Sequence, residues 1–104
     1  GSGASVTSSR APLRSARVTQ VVCGARHSVA VTSTGRVLTW GSNRFGQLGH
    51  GDVSDRLAPV AVSRLRNRVV YQAACGWRHT LVLADQREVF AWGHVRAVDA
   101  AAAA

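Results

Sequence analysis

The sequence predicts an all-β fold made of one to two blades of a β-propeller. Two observations lead to this prediction. A stretch of 21 residues recurs after 52 residues without a gap, and each copy divides into short apolar runs separated by turn residues. A repeat of about 50 residues with about four short strands is typical of a propeller blade. The 104 residues allow one domain at most, with a modest core.

The repeat aligns residues 21–41 with residues 73–93. Other aligned pairs keep their apolar or hydroxyl character, as Ser28 and Thr80 do. The identical pairs are Cys23/Cys75, Gly24/Gly76, Arg26/Arg78, His27/His79, Val37/Val89, Trp40/Trp92 and Gly41/Gly93. Gapless agreement of this kind indicates two copies of one structural unit.

Seven short strands follow from the pattern along the chain. In order, they are predicted at 17–23, 27–32, 36–40, 58–62, 68–74, 79–84 and 88–92, where β-branched and aliphatic residues dominate. Polar turn residues at 33–35 and 85–87 join the second and third strands of each copy into a hairpin. A long loop at 41–52, with four glycines, precedes the fourth strand. No helix is expected.

The domain organisation follows from composition. Residues 17–93 form about one and a half repeats of the 52-residue period. Residues 1–16 are rich in serine and arginine and free of acidic residues, as transit peptides are, and we interpret them as a basic flexible arm or linker. Residues 94–104 form a divergent, alanine-rich tail. No run of 18 apolar residues occurs, so we expect no membrane-spanning helix.

The charge of the chain is strongly unbalanced. Its 13 basic residues are all arginine and face 5 acidic residues, which gives a net charge of +8. This charge favours an acidic partner, whether a protein surface, an organelle-import receptor, RNA or another nucleic acid, although a solvated basic surface explains it equally well. The candidate partner-binding residues are Arg10, Arg14, Arg17, Arg44, Trp77 and Arg78.

The repeat with its loop resembles the repeat of the regulator of chromosome condensation family. The resemblance covers about residues 17–93, and the loop motif comprises Gly41, Asn43, Gly46, Gln47, Leu48, Gly49 and Gly51. It implies a seven-bladed β-propeller, of which this chain would be a part. Members of the family include a nucleotide exchange factor for a small nuclear GTPase, ubiquitin-ligase subunits, ciliary proteins, organellar RNA-processing proteins and a plant UV-B photoreceptor.

Two departures from the family pattern bear on the function. The chain holds fewer than two repeats, whereas roughly three or more are normally needed for stability. The second copy also lacks the asparagine and the GQLG run after Gly93. We therefore expect a fragment or a chain held by partners, in which further blades or self-association cover the exposed strand edges.

Most repeated residues are expected to have structural roles. The repeat signature comprises Cys23, Gly24, His27, Trp40, Gly41, Gly46, Gln47, Leu48, Gly49, Cys75, Gly76, His79, Trp92 and Gly93. We expect the cysteines to be small buried residues, the histidines to bind neighbouring backbone, and the two repeated tryptophans to pack between blades. Repeat symmetry explains the Cys–His pairs without zinc or catalysis, so we expect no metal, no cofactor and no catalytic residue.

The favoured function is a non-catalytic protein–protein interaction module within a larger assembly that has an acidic or RNA-containing partner. Two alternatives stay open. One is a fragment of a guanine nucleotide exchange factor. The other is a protein similar to the UV-B photoreceptor, because the sequence GWRHT at 76–80 resembles a motif of that branch and an arginine against Trp77 would give a cation–π contact. The nucleus, a cilium, a mitochondrion or a plastid are all compatible locations.

Overall fold

The computed structural model describes residues 16–94, which form seven β-strands and no α-helix. The strands are β1 (Val18–Cys23), β2 (His27–Thr32), β3 (Val37–Gly41), β4 (Arg56–Ala61), β5 (Val70–Cys75), β6 (His79–Ala84) and β7 (Glu88–Gly93). Two short 3-10 helices, Ser63–Leu65 and Asp85–Arg87, lie between strands. The prediction of an all-β fold is confirmed. The second 3-10 helix stands where the sequence predicts only a turn.

The strands form two antiparallel sheets. Sheet one has the order β1-β2-β3-β4, and sheet two has the order β5-β6-β7. The register repeats: Cys23 is opposite Ser28 in sheet one, and Cys75 is opposite Thr80 in sheet two. An irregularity in the first strand also recurs, next to Gln20 and next to Gln72. The two sheets are therefore two copies of one blade, of which the second has three strands among the residues described.

The connection between β3 and β4 is a compact loop organised by Asn43. This side chain is completely buried. Its Nδ2 donates to the carbonyl oxygens of Asp52 and Ser54, both at 3.0 Å, and its Oδ1 accepts a hydrogen bond from the backbone N–H of Leu48 at 3.1 Å. The guanidinium of Arg56 pairs with Asp52 at 2.9 Å and lowers the pKa of that carboxyl to about 2. The loop is thus held from within.

The hydrophobic core lies between the two sheets. Sheet one contributes Val29, Val31 and Val37, and sheet two contributes residues such as Val70 and Val82, all of them 2% exposed or less. Alternate residues of each strand point to the same face, so one face of each sheet enters this core. The burial of these β-branched side chains is the main force that holds the two sheets together.

Polar contacts also join the sheets. The side-chain amide of Gln20 on β1 donates to the carbonyl oxygen of Ala73 at 3.2 Å and accepts from the backbone N–H of Ala73 at 2.8 Å. The Nε2 of His27 lies 2.9 Å from the hydroxyl oxygen of Thr80. These hydrogen bonds fix the position of one sheet relative to the other along the strand direction.

Within residues 16–94, no helix is long and apolar enough to cross a membrane. The candidate residues Arg10 and Arg14 lie outside the described residues, and so do nearly all of the predicted arm and tail. The boundaries given to those two segments stay predictions.

Candidate partner-binding face

Three loops meet at one end of the two sheets. The loop between β1 and β2 lies beside the equivalent loop between β5 and β6, because the backbone N–H of Ala25 donates to the carbonyl oxygen of Trp77 at 3.2 Å. The loop after β3 joins them, since the N–H of Ser42 donates to the carbonyl oxygen of Arg26 at 2.8 Å. Both repeats therefore contribute to this face.

The three loops enclose an open pocket of about 270 Å³, which we call the arginine pocket. Its lining consists of Ala25, Arg26, Ser42, Arg44, Phe45, Gln47, Trp77 and Arg78. Three of the eight residues are arginine, two are aromatic and none is acidic. The pocket is thus a cationic depression with aromatic walls.

Two of the pocket's guanidinium groups lie against the ring of Phe45. The guanidinium carbon of Arg78 lies 4.7 Å from the centroid of the Phe45 ring, and that of Arg44 lies 5.6 Å from it. The ring of His94 stands 5.6 Å from Phe45 in a tilted orientation. Cation–π attraction holds both guanidinium groups near one ring without neutralising them. Their charge therefore stays available to a ligand.

No carboxylate neutralises the pocket within the part of the chain that the structure describes. The two ion pairs found there join Arg56 to Asp52, at 2.9 Å, and Arg68 to Glu88, at 2.7 Å. Both pairs lie outside the pocket lining. The pocket arginines are therefore like charges gathered without a counterion among these residues, which an anionic ligand would relieve.

Gln47 fixes the loop and presents a polar group to the pocket. The residue is only 2% exposed. Its carbonyl oxygen accepts hydrogen bonds from the hydroxyl of Thr80, at 2.8 Å, and from the indole Nε1 of Trp92, at 2.7 Å. Its Oε1 accepts from the N–H of Phe45 at 2.8 Å. The Nε2 group has no hydrogen-bond partner among residues 16–94, although the side chain lines the pocket.

The structure brings three of the predicted partner-binding residues together and separates a fourth. Arg44, Trp77 and Arg78 line the pocket, and Trp77 is 66% exposed. Arg17 lies at the opposite end of β1, about 20 Å along the strand from the end that carries the pocket. Its N–H donates to the Oγ of Ser33 at 3.0 Å. Arg26 also lines the pocket but was not a candidate. Its alignment with the candidate Arg78 in the repeat could have predicted this position.

The repeated glycines and histidines pack against each other. A Cβ atom on Gly24 would lie 2.2 Å from Cε1 of His27, and one on Gly76 would lie 1.8 Å from Cε1 of His79. Nε2 of the His27 ring bonds to the side chain of Thr80 on the next sheet, and the expectation that both histidines bind neighbouring backbone stays a prediction. Burial lowers the pKa of His27.

The cysteines differ from each other, and one expectation about them is wrong. Cys75 is half-buried, and its burial raises the pKa of the thiol to about 11. Cys23 is exposed, because its side chain lies on the face of sheet one that points away from sheet two. Both thiols are free. The described residues contain no group of three or more side chains placed to hold a metal ion.

Among the remaining signature residues, Gly49 lies where the first repeat meets the second sheet. Leu48 is completely buried, and a Cβ atom on Gly49 would lie 2.7 Å from the indole ring of Trp92. Gly41, Gly46 and Gly93 all have positive φ angles, from 74° to 110°. Trp40 is half-buried, but it is not part of the core between the sheets.

Two antiparallel sheets that repeat after 52 residues and pack face to face are successive blades of a β-propeller. A family model described as the regulator of chromosome condensation (RCC1) repeat matches residues 34–83, and a second model of the same repeat matches residues 18–47. The chain belongs to this family, in agreement with the resemblance found in the sequence.

Curated relatives and solved structures agree with this assignment. Over 76 residues the chain is 45% identical to the ultraviolet-B receptor UVR8 of Arabidopsis thaliana, which covers 73% of this chain and 17% of the relative. Over 83 residues it is 45% identical to the human E3 ubiquitin-protein ligase HERC2, covering 78% and 2%, and equally to human protein RCC2, covering 78% and 16%.

Human WBSCR16 matches in structure with a TM-score of 0.72 and 29% identity, covering 77% of this chain and 20% of that one. Prp20p from Saccharomyces cerevisiae matches with a TM-score of 0.66 and 28% identity, covering 75% and 19%. The chain therefore spans a fifth or less of the length of each of these proteins, and it is similar to part of a propeller. Membership of the family supports an interaction or regulatory module.

Proposed function

We propose that the chain is a non-catalytic protein–protein interaction module whose arginine pocket docks an acidic surface of a partner protein. The observation that carries the proposal is the pocket itself. Arg26, Arg44 and Arg78 line one depression in which no acidic residue takes part. A surface built in this way is complementary to carboxylate or phosphate groups, and such complementarity speeds association and selects the partner.

The exposed aromatic ring beside the arginines supports a protein partner. Trp77 is 66% exposed and lines the pocket. Tryptophan and arginine are the residue types most enriched at energetically important positions of protein interfaces. Among the relatives, Prp20p binds Gsp1p and histones, so at least one propeller of this kind binds proteins. The lining is both aromatic and cationic, and a protein partner can contact both kinds of group. A partner that binds through charge alone would leave the aromatic rings unused.

The test is a binding titration of the 104-residue chain with a fluorescent 12-residue peptide of alternating glutamate and serine. We expect Arg44→Ala and Arg78→Ala each to weaken binding about tenfold, since each removes a charge-assisted contact of about 1.4 kcal/mol. Arg17→Ala is the matched control, because it removes the same charge at the opposite end of β1. If all three variants weaken binding equally, only the net charge matters and the proposed site is wrong.

A nucleic-acid partner would give a different result in the same assay. Oligouridine would then displace the peptide, and its affinity would fall steeply with salt, because each neutralised phosphate releases counterions. The photoreceptor alternative requires an arginine stacked on Trp77. Among the described residues, the guanidinium–aromatic contacts are to Phe45 and Phe90. The exchange-factor alternative likewise gains no specific support from these contacts.

A further inference from the structure

Every polar side chain that lines the arginine pocket carries a hydrogen-bond donor. Arg26, Arg44 and Arg78 carry guanidinium groups, which donate and cannot accept. The Nε2 group of Gln47 is open to the pocket and adds a donor with no partner among residues 16–94. The hydroxyl of Ser42 can donate as well. A ligand that satisfies such a lining must consist of acceptors.

The number of donors distinguishes between the two acceptor groups found on proteins. A carboxylate has two oxygen atoms and about four lone-pair sites, which two guanidinium forks already fill. A phosphate monoester has three terminal oxygen atoms and a charge of about −1.5 to −2. Three arginines and an amide around one cavity therefore exceed the capacity of a carboxylate and suit a phosphate.

The size and walls of the pocket suit a single phosphorylated side chain. Its volume of about 270 Å³ is below the usual range for drug-sized ligands, about 300–1,000 Å³. Phe45 and Trp77 stand beside the arginines and offer apolar contact to the carbon atoms that carry the phosphate. A nucleic-acid backbone would instead need basic residues spread along a stripe or groove.

From these observations we propose that the arginine pocket binds the phosphate group of a phosphorylated side chain on the partner protein. This inference rests on the proposed function and names the group that the pocket recognises. Phosphorylation of the partner would then switch the interaction on, because it creates several charge-assisted hydrogen bonds at one point.

Three peptides that differ only at a central residue test the proposal. The residue is serine, glutamate or phosphoserine, and the flanking residues are neutral. We expect the phosphoserine peptide to bind the 104-residue chain at least about tenfold more tightly than the glutamate peptide, and the serine peptide to bind most weakly. Equal affinity for glutamate and phosphoserine would overturn the phosphate proposal and leave the docking of acidic surfaces intact.

Gln47→Glu is the sharpest variant for this test. It keeps an oxygen that accepts from the N–H of Phe45, and it leaves the carbonyl contacts to Thr80 and Trp92 in place. It replaces the free donor with a negatively charged acceptor, so we expect the preference for phosphoserine to disappear. Unchanged preference in Gln47→Glu would count against the proposal.

Arg78→Lys provides a second variant that keeps the charge but loses the planar fork. We expect it to weaken phosphoserine binding about tenfold and to leave glutamate binding within about threefold. Circular dichroism checks that each variant is folded. If Gln47→Glu does not fold, the result for Arg78→Lys tests the phosphate proposal.

Competition identifies the source of the phosphate. If oligouridine or inorganic phosphate displaces the phosphoserine peptide at equal concentration, the phosphorylated protein is the wrong source of the phosphate. If no peptide binds through the pocket, the proposed function fails as well.

Discussion

Sheet one and sheet two have the same register and closely similar sequences, yet they bury opposite faces. Val29 on β2 is completely buried, whereas Leu81, its counterpart on β6, is 39% exposed. Val37 is 2% exposed, and its counterpart Val89 is 59% exposed. On the other face the order is reversed, since Val18 is 56% exposed and Val70 is 1% exposed. The neighbouring sheet, and not the residue type, decides which face is buried.

The polar groups show the same asymmetry. The indole N–H of Trp92 donates to the loop of the first repeat, whereas the indole of its counterpart Trp40 has no such acceptor among the described residues. Nε2 of His27 bonds to Thr80 on sheet two, whereas the ring of His79 makes no hydrogen bond among residues 16–94; Nδ1 of both rings is buried without a partner there. In each of these two pairs, only one copy of the residue bonds to the neighbouring repeat that the structure describes.

The largest effect is expected where the loop of the first repeat meets sheet two. Gly49→Ala would place a Cβ atom 2.7 Å from the indole of Trp92, at a φ of 78°. We expect a loss of about 3 kcal/mol in the free energy of unfolding, from backbone strain and displacement of the indole. Urea unfolding followed by circular dichroism measures it.

Gly46→Ala is the control for this change. Gly46 has a similar φ of 74°, but its Cβ atom would meet nothing within 4 Å. We expect a cost of about 1 kcal/mol, from the backbone alone. Equal costs at both positions would mean that the contact between loop and sheet contributes little to stability.

A smaller effect is expected from the paired valine and leucine. Val29→Ala removes two buried carbon atoms from the core between the sheets, so we expect a loss of about 2 kcal/mol. Leu81→Ala removes three carbon atoms from a partly exposed side chain, so we expect less than about 1 kcal/mol. Thermal or urea unfolding compares the two. A larger loss for Leu81→Ala would show that this face is covered in solution.

The smallest effect concerns pH and His27. Burial lowers the pKa of His27 below its ordinary value of 6.5, and a hydrogen bond to the backbone of His79 offsets part of this effect. The unfolded chain therefore binds a proton more readily, so this contribution to stability is present above pH 6.5 and is lost as the pH falls through the pKa of the folded state. Urea unfolding from pH 8 to pH 5 measures the resulting slope.

His27→Gln should reduce that slope, because glutamine does not titrate and its amide can still bond to Thr80. Burial also lowers the pKa of His50, with the same sign, so His50→Gln is the companion that separates the two contributions. An unchanged slope in His27→Gln would contradict the assignment to His27.

Much of the fold follows from the sequence, because the alternation of apolar residues is a local property. All seven strands lie close to their predicted positions. The largest shifts are two residues, at the starts of β4 and β5; β4 begins at Arg56, which pairs with Gly41 across the sheet. The exposure of Cys23 could not be predicted in this way, since alternation shows that a strand has two faces and not which face a neighbour covers.

The candidate site was predicted only in pieces. Arg44, Trp77 and Arg78 stand out in the sequence as charged or aromatic loop residues, but they come from two repeats. Their meeting depends on how the two sheets pack, which no local pattern records. The position of Gln47 depends on the same packing, because its backbone carbonyl accepts hydrogen bonds from Thr80 and Trp92 of the other sheet.

The side-chain hydrogen bonds that Gln20 and His27 of sheet one make to sheet two span one residue more than the repeat does. The sequence repeats after 52 residues, whereas Gln20 bonds to Ala73 and His27 bonds to Thr80, 53 residues away. At these two contacts a side chain of one copy meets the residue that follows its own equivalent in the next copy, whereas the loops meet at equivalent positions, Ala25 and Trp77. Such a joint is heterologous, with a donor side and an acceptor side, and it gives the array a polarity. Two identical faces cannot mate through it, so a change in one repeat must be matched at a different position of its neighbour.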